Sequence, residues 1–234
     1  MVDVLTDVGI RQYIIPANLA QLHRSEQRDK WEAADQKALD SILSRPGNRL
    51  VSRRVPSQLG VPIMPCVTQR RLKVDPATRR LQSFKSRHCV DGARMSSLLN
   101  RAGTPLDVET TSSVADDMLC KMLLADAALR GRHLLKADIP DAYTQGQRIG
   151  RPKTYMYMPT AFQHLRDDSG EELCIELGTP MWGEGPAGFE WQVELEHMLE
   201  HIGWTRAEDV PACWCFVSPT GDAILLTIVD DLLR

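Results

Sequence analysis

The stretch that most restricts what this chain can become is its last, Ala223 to Arg234, which reads AILLTIVDDLLR. An apolar, partly β-branched run enters two adjacent aspartates, Asp230 and Asp231. AILLTIV is short and uncharged, and it predicts a buried strand. SPTGD ahead of it has turn composition, and CWCFV ahead of that is a second strand candidate. Together they predict a β-hairpin whose second strand delivers two carboxylates to its end. Adjacent carboxylates repel, and a cation or the protonation of one group relieves the repulsion. Two readings fit the pair. It closes a strand at the solvent, where charge is tolerated, or it collects a cation.

A second stretch bears on that choice. His133 to Gly146, HLLKADIPDAYTQG, predicts a short apolar strand ending in Asp138, then a turn and a short helix. Two strands ending in aspartate supply three carboxylates, the donors that two divalent ions about 3.5–4 Å apart require. The set suits Mg²⁺, a hard ion that prefers carboxylates and substrate phosphates.

Set in order, these motifs resemble the reverse transcriptase domain of copia-type LTR retrotransposons. Asp138-Ile139-Pro140-Asp141-Ala142-Tyr143 is similar to that family's Asp-Val/Ile-x-x-Ala-Phe/Tyr. Ile228-Val229-Asp230-Asp231 is similar to its Tyr-Val-Asp-Asp, with isoleucine for tyrosine. Between them, residues 154–162 resemble Val-Tyr-Met-x-x-Pro-x-Gly-Phe, with Thr154 for the valine and Ala161 for the glycine. Residues 181–191 resemble Leu-Tyr-Gly-Leu-Lys-Gln-Ala-Pro-Arg-x-Trp through Gly183, Ala187 and Trp191, while the Lys and Gln positions are Gly185 and Pro186. Order and spacing agree from about Trp31 to the end of the chain.

The resemblance implies an α+β fold, the fingers and part of the palm of a right-hand polymerase, with an antiparallel palm sheet flanked by helices and the thumb absent. It implies a lead-in over 1–25, a fingers-like region over 26–132, and a palm-like region over 133–234 that carries a fingers insertion near 150–180 and stops after the catalytic hairpin. Asp138, Asp230 and Asp231 are the implied catalytic and metal-binding residues, holding two Mg²⁺, with Mn²⁺ as a substitute. Lys73, Lys85 and Arg87, on an implied fingers hairpin, are the candidates for the nucleotide's phosphates. Tyr143 is implied to floor the sugar pocket and disfavour a ribose 2′-hydroxyl. The implied partners are an RNA or DNA primer–template, deoxynucleoside triphosphates and the rest of a Pol polyprotein with integrase, thumb and RNase H. The implied setting is a cytoplasmic virus-like particle.

Charge is distributed in a way that bears on a nucleic-acid partner. The chain totals −3, yet between Arg45 and Arg94 twelve Lys/Arg stand against Asp75 and Asp91 alone, so this segment is +10 and the remainder −13. Such asymmetry predicts a basic surface facing phosphates, or a solvated basic face with no partner. No apolar run approaches the roughly 20 residues needed to span a bilayer, and the N-terminus lacks the layout of a secretory signal. The six cysteines are scattered. Cys213-x-Cys215 shares a strand face and is wrongly spaced for a metal knuckle, so buried free thiols are expected.

Other elements follow from periodicity. SEQRDKWEAADQKALDSILSR predicts an amphipathic helix capped by Ser25, with Trp31, Ala34, Ala38, Ile42 and Arg45 on one face. Residues 48–51 predict a strand, and residues 61–92 a strand, a turn at Asp75-Pro76-Ala77-Thr78 and a second strand. Alternation along the second strand puts Lys85 and Arg87 on one face. Residues 111–131 predict a largely buried helix stopped by Gly131, with Met118, Met122, Ala125 and Leu129 on one side. CIELG predicts a strand, and AGFEWQVELEHMLEHIG a helix with Trp191, Leu195, Met198 and Ile202 on one face and Gly203 as its stop. His197 and His201, four apart, have zinc-ligand spacing but lack the HExxH order, and a solvated face is expected.

Three functional readings remain. The chain is a polymerase fragment, a non-catalytic relic retaining that fold, or a basic nucleic-acid-binding module in which the aspartates are incidental. The departures at Ile228 and Pro186 suit the second.

Overall fold

Helix and strand are evenly mixed, 31% and 32% of the chain. The computed structural model describes residues 2–6, 9–101, 109–219 and 221–233. The elements in order are β1 (Val2–Thr6), β2 (Gly9–Tyr13), α1 (Leu19–His23), α2 (Arg28–Leu43), β3 (Arg49–Ser52), α3 (Arg54–Gln58), β4 (Ile63–Met64), β5 (Cys66–Val74), β6 (Leu81–Val90) and α4 (Gly92–Arg101). There follow α5 (Asp117–Arg130), β7 (Lys136–Asp138), β8 (Thr154–Tyr157), β9 (Leu173–Leu177), α6 (Ala187–His201), β10 (Thr205–Arg206), β11 (Cys213–Ser218), β12 (Gly221–Ile228) and β13 (Asp231–Leu233). Short 3-10 turns occupy Ala142–Gln145 and Thr160–Phe162. The class is α+β with mainly antiparallel sheets; β4 and β8 pair in parallel.

The chain divides into two compact units. The first comprises Met1–Leu106, Lys153–Gly178 and Trp182–Glu184, and the second Asp107–Pro152, Thr179–Met181 and Gly185–Arg234. The α5 segment thus groups with the second unit, and residues 153–178 return to the first.

In the first unit a four-stranded sheet runs β3-β9-β8-β4, and β5 and β6 form a separate long hairpin. The hairpin joins through the expected turn, where the Asp75 carboxylate accepts from the amides of Ala77 and Thr78 at 3.0 and 2.7 Å. Its inner face packs on α2, with Phe84 edge-on to the buried Trp31. The helix starts later than expected, after Gln27, and Ser25 caps a preceding turn instead. Its buried stripe is Trp31, Asp35, Leu39 and Ile42. The predicted alanine face is rotated aside because Asp35 points inward to Arg70 of β5. Both Asp35 oxygens accept from that guanidinium, at 3.1 and 2.6 Å. The same corner holds His88, whose ring nitrogens meet the Thr68 hydroxyl at 2.9 Å and the Asp35 backbone carbonyl at 3.0 Å. Asp35, Arg70, Thr68 and His88 thus satisfy one another in this corner, as burial demands, whereas the buried Trp31 Nε1 beside them has no hydrogen-bond partner among the described residues.

After β6 the chain meets Trp182–Glu184. Val90 donates its amide to the Trp182 carbonyl at 2.8 Å. The contact leaves no room for side chains: a Cβ on Gly92 would stand 2.1 Å from the Gly183 carbonyl oxygen.

In the second unit the sheet order is β10-β11-β12-β13-β7. The predicted β11–β12 hairpin is present, running from Cys213 opposite Leu226 to Ser218 opposite Gly221. Its core gathers Ala142, Trp191, Leu195, Leu199, Trp214 and Leu225. Helix α6 buries Ala187, Trp191, Leu195 and Leu199, while Met198 and Ile202 are exposed. Their spacing predicts both on the inner face. The helix instead packs along its i, i+4 ridge, which slants across the axis and carries the stripe away from them. Helix α5 departs further. Asp116 caps it and Gly131 closes it in the left-handed region, but Met118, Met122 and Leu129 are exposed and only Ala127 is buried among its residues. Its apolar residues are spread around the axis rather than gathered in a stripe, so the helix rests on the unit by a small contact.

Among the described residues no helix is long and apolar enough to cross a membrane. The six thiols are free; Cys89, Cys174 and Cys213 are buried, whereas Cys215 is exposed, contrary to expectation. His197 and His201 lie on the exposed side of α6.

Candidate functional site

The carboxylate end of the second sheet is built differently from the hairpin that the sequence suggested. β12 stops at Ile228, and Asp231 opens a further strand, β13, rather than ending the one before. Ile228 and Asp231 pair across a two-residue loop of Val229 and Asp230. Such loops need positive φ at their first central position, where glycine or asparagine is usual. Val229 holds φ +58° there, a strained conformation for a β-branched residue that costs about 1–3 kcal/mol.

Two hydrogen bonds hold this loop. The indole Nε1 of Trp191 donates to the Val229 carbonyl at 2.7 Å. The amide of Ile139 donates to the Asp230 carbonyl at 2.8 Å. The second bond continues the antiparallel ladder of β13 with β7, in which Asp231 stands opposite Asp138, Leu232 opposite Ala137 and Leu233 opposite Lys136. Directly opposed residues in such a ladder face the same side of the sheet. The side carrying Asp138 and Asp231 is turned from the core, since Ile139, Val229 and Leu232 pack on the core cluster. Asp138 and Asp230 are exposed and Asp231 is half-buried. The Lys136 ammonium pairs with Asp231 Oδ1 at 3.0 Å.

Among the described residues no group of three or more His, Cys, Asp or Glu is arranged to hold a metal ion. The donor chemistry of Asp138, Asp230 and Asp231 nonetheless suits a hard divalent cation. Two opposed like charges are an unfavourable pair unless countercharge is supplied. Lys136 supplies it to one of them.

Tyr143 lies in the 3-10 turn after Asp138, half-buried against the core cluster. Asp141, at φ +54°, reverses the chain into that turn, and the Thr144 hydroxyl donates to its carbonyl at 2.8 Å. The Tyr143 hydroxyl approaches α6, 3.9 Å from where a Cβ on Gly188 would stand.

The predicted phosphate ligands belong to the first unit. Along β5 exposed and inward residues alternate, placing Gln69, Arg71 and Lys73 outward. The register puts Arg87 opposite Gln69, Lys85 opposite Arg71 and Ser83 opposite Lys73. Lys73, Lys85 and Arg87 therefore share one face, joined by Arg71. Among the described residues none of these four cations has a carboxylate partner. The Arg87 guanidinium lies over the Trp182 ring, 4.7 Å from its centroid. A small cleft of about 80 Å³ opens among Gln69, Arg71, Lys85, Ser86 and Arg87.

Comparison with protein-family models, curated proteins and solved structures finds no match.

The two clusters have different chemistry. Four close cations without countercharge attract polyanions, and the guanidinium forks suit phosphate oxygens. The carboxylate end attracts cations. Strand pairing brings Arg71 to Lys85, and nothing in the sequence taken alone sets Arg71 apart from Arg70. Neighbours on a strand face opposite sides, so Arg70 is consumed by Asp35 while Arg71 is free to bind. The strain at Val229 had no signal in the sequence beyond the shortness of the loop.

Proposed function

We propose that this chain is part of an RNA-directed DNA polymerase of the copia retrotransposon type, with a fingers-like first unit and a palm-like second unit, extending a primer on an RNA or DNA template. The observation that carries the reading is the pairing of Asp138 with Asp231, with Asp230 in the strained loop beside them. The three carboxylates named by the ordered motifs fall at one end of one sheet, although they are some ninety residues apart in sequence. Asp138, Asp230 and Asp231 would hold two Mg²⁺, which supply charge to acidify the primer hydroxyl and to neutralise the triphosphate. Lys85, Arg87 and Lys73, with Arg71, would hold phosphate oxygens, and Tyr143 would contact the sugar. Catalysis would consist of positioning and electrostatics, with no covalent intermediate.

The test is primer extension with deoxynucleoside triphosphates and Mg²⁺ on an RNA template. Asp230→Asn is expected to abolish extension and leave template binding nearly unchanged. Extension by the variant overturns the carboxylate assignment.

A second reading is a nucleic-acid-binding module or an inactive relic. It is favoured by the uncompensated basic face of the β5–β6 hairpin and by Lys136, which already supplies countercharge to Asp231. Oligonucleotide binding indifferent to Mg²⁺, without nucleotide affinity or extension, selects it.

A further inference from the structure

The loop that carries Asp230 holds a residue in a conformation it disfavours, so something must keep it there. Val229 is β-branched at φ +58°. Leaving positive φ means turning the chain about the Val229 N–Cα bond, and with Ile228 held in β12 this swings the Val229 carbonyl away from its donor. That donor is the indole N–H of Trp191, at 2.7 Å, on a residue only 1% exposed. Relaxing the loop would therefore take the acceptor from a buried N–H, which costs free energy. The next carbonyl, that of Asp230, is held from the other side by the amide of Ile139, the residue after Asp138. Both carbonyls of the loop are thus fixed, one from α6 and one from β7.

We infer that Trp191 is a positioning residue for the carboxylate end. Its N–H holds Val229 left-handed, and this fixes Asp230 and Asp231 relative to Asp138 for a divalent cation. The inference rests on the carboxylate reading above. Trp191 touches neither cation nor substrate and acts through the Val229 carbonyl. Its ring belongs to the core, and the N–H alone serves the loop, so the two roles are separable.

The test uses the isotopically labelled full chain and Mn²⁺ as probe. Two readouts are followed: the φ-sensitive amide–Hα coupling of Val229, and paramagnetic broadening at Asp138, Asp230 and Asp231. Trp191→Phe removes the N–H, as does benzothienylalanine placed at Trp191, which keeps the shape of the indole and so guards against simple misfolding. Both are expected to shift Val229 out of the left-handed region and weaken Mn²⁺ binding about 10-fold or more, the size of effect typical of residues that orient metal ligands. Adding Val229→Gly, which tolerates positive φ, should restore much of the affinity. A left-handed Val229 in the benzothienylalanine protein overturns the inference, and so does a relaxed Val229 with unchanged Mn²⁺ affinity. Absence of broadening in the unaltered chain removes the carboxylate reading itself, and the inference with it. Equal broadening with and without the N–H removes the inference alone.

Discussion

Asp138 and Asp231 stand opposite one another where β7 pairs with β13, and Lys136 reaches Asp231 at 3.0 Å. Opposed like charges destabilise a ladder by about 0.2–1 kcal/mol. Asp138→Asn should therefore raise the thermal midpoint in a chelator-treated sample. It should also abolish any added stability that Mg²⁺ confers on the unaltered chain, because a ligand that binds the folded state stabilises it. Melting curves with EDTA and with Mg²⁺ check both. A lowered midpoint in EDTA would show that the pair is not repulsive.

Arg70 and Arg71 are adjacent in sequence and should respond oppositely. Arg70→Ala leaves Asp35 buried and uncompensated, and removing one partner of such a pair costs about 3–5 kcal/mol. Arg71→Ala should change stability by less than about 0.5 kcal/mol. It should weaken oligonucleotide binding and reduce the slope of log affinity against log salt by about 1. Urea denaturation and fluorescence anisotropy over a salt series separate the two.

His88 predicts a pH dependence. Burial holds its ring below the ordinary imidazole range, opposed by the Asp35 backbone carbonyl and the Asp35 charge, while the Arg70 charge adds to the depression. The unfolded chain therefore takes up this proton first as pH falls below about 6.5. The stability contribution is complete above that value, is lost as pH falls through the lower folded-state value, and is constant below it. Urea midpoints between about pH 7.5 and 5 should decline, and His88→Gln should flatten part of the decline.

Thiol reactivity should follow burial. Burial, aided by Cys89, pushes the Cys66 thiol up to about 12, and burial pushes Cys174 up to about 11. Neither supplies thiolate at neutral pH, whereas Cys215 is exposed. A chromogenic disulfide should label Cys215 in its fastest phase in the native chain, and Cys215→Ser should remove that phase.

Much of the local structure was legible because it depends on local chemistry. The strand runs, the Asp75 turn, the Gly131 stop and the extent of α6 are written in neighbouring residues, and each of these formed near its expected place, although the buried face of α6 did not include Met198 and Ile202. Ordered motifs also named Asp138, Asp230 and Asp231 without any knowledge of their distance. Which way a face turned was less legible. Asp35 went inward because Arg70 waited there, and α5 remained exposed although it is rich in leucine and methionine. A helix face is buried only if a partner surface exists, and partners come from distant sequence.

Local sequence by itself thus determined the longer helices, the β5–β6 and β11–β12 hairpins and the turn between β5 and β6. Only the tertiary structure decided that β13 would pair with β7 to set Asp231 opposite Asp138, that Arg71 would join Lys85 while Arg70 turned inward, and that a tryptophan on α6 would hold Val229 in a strained turn. Those outcomes depend on strand register and on hydrogen bonds between residues far apart in the chain, and neither composition nor periodicity encodes a register between strands separated by ninety residues.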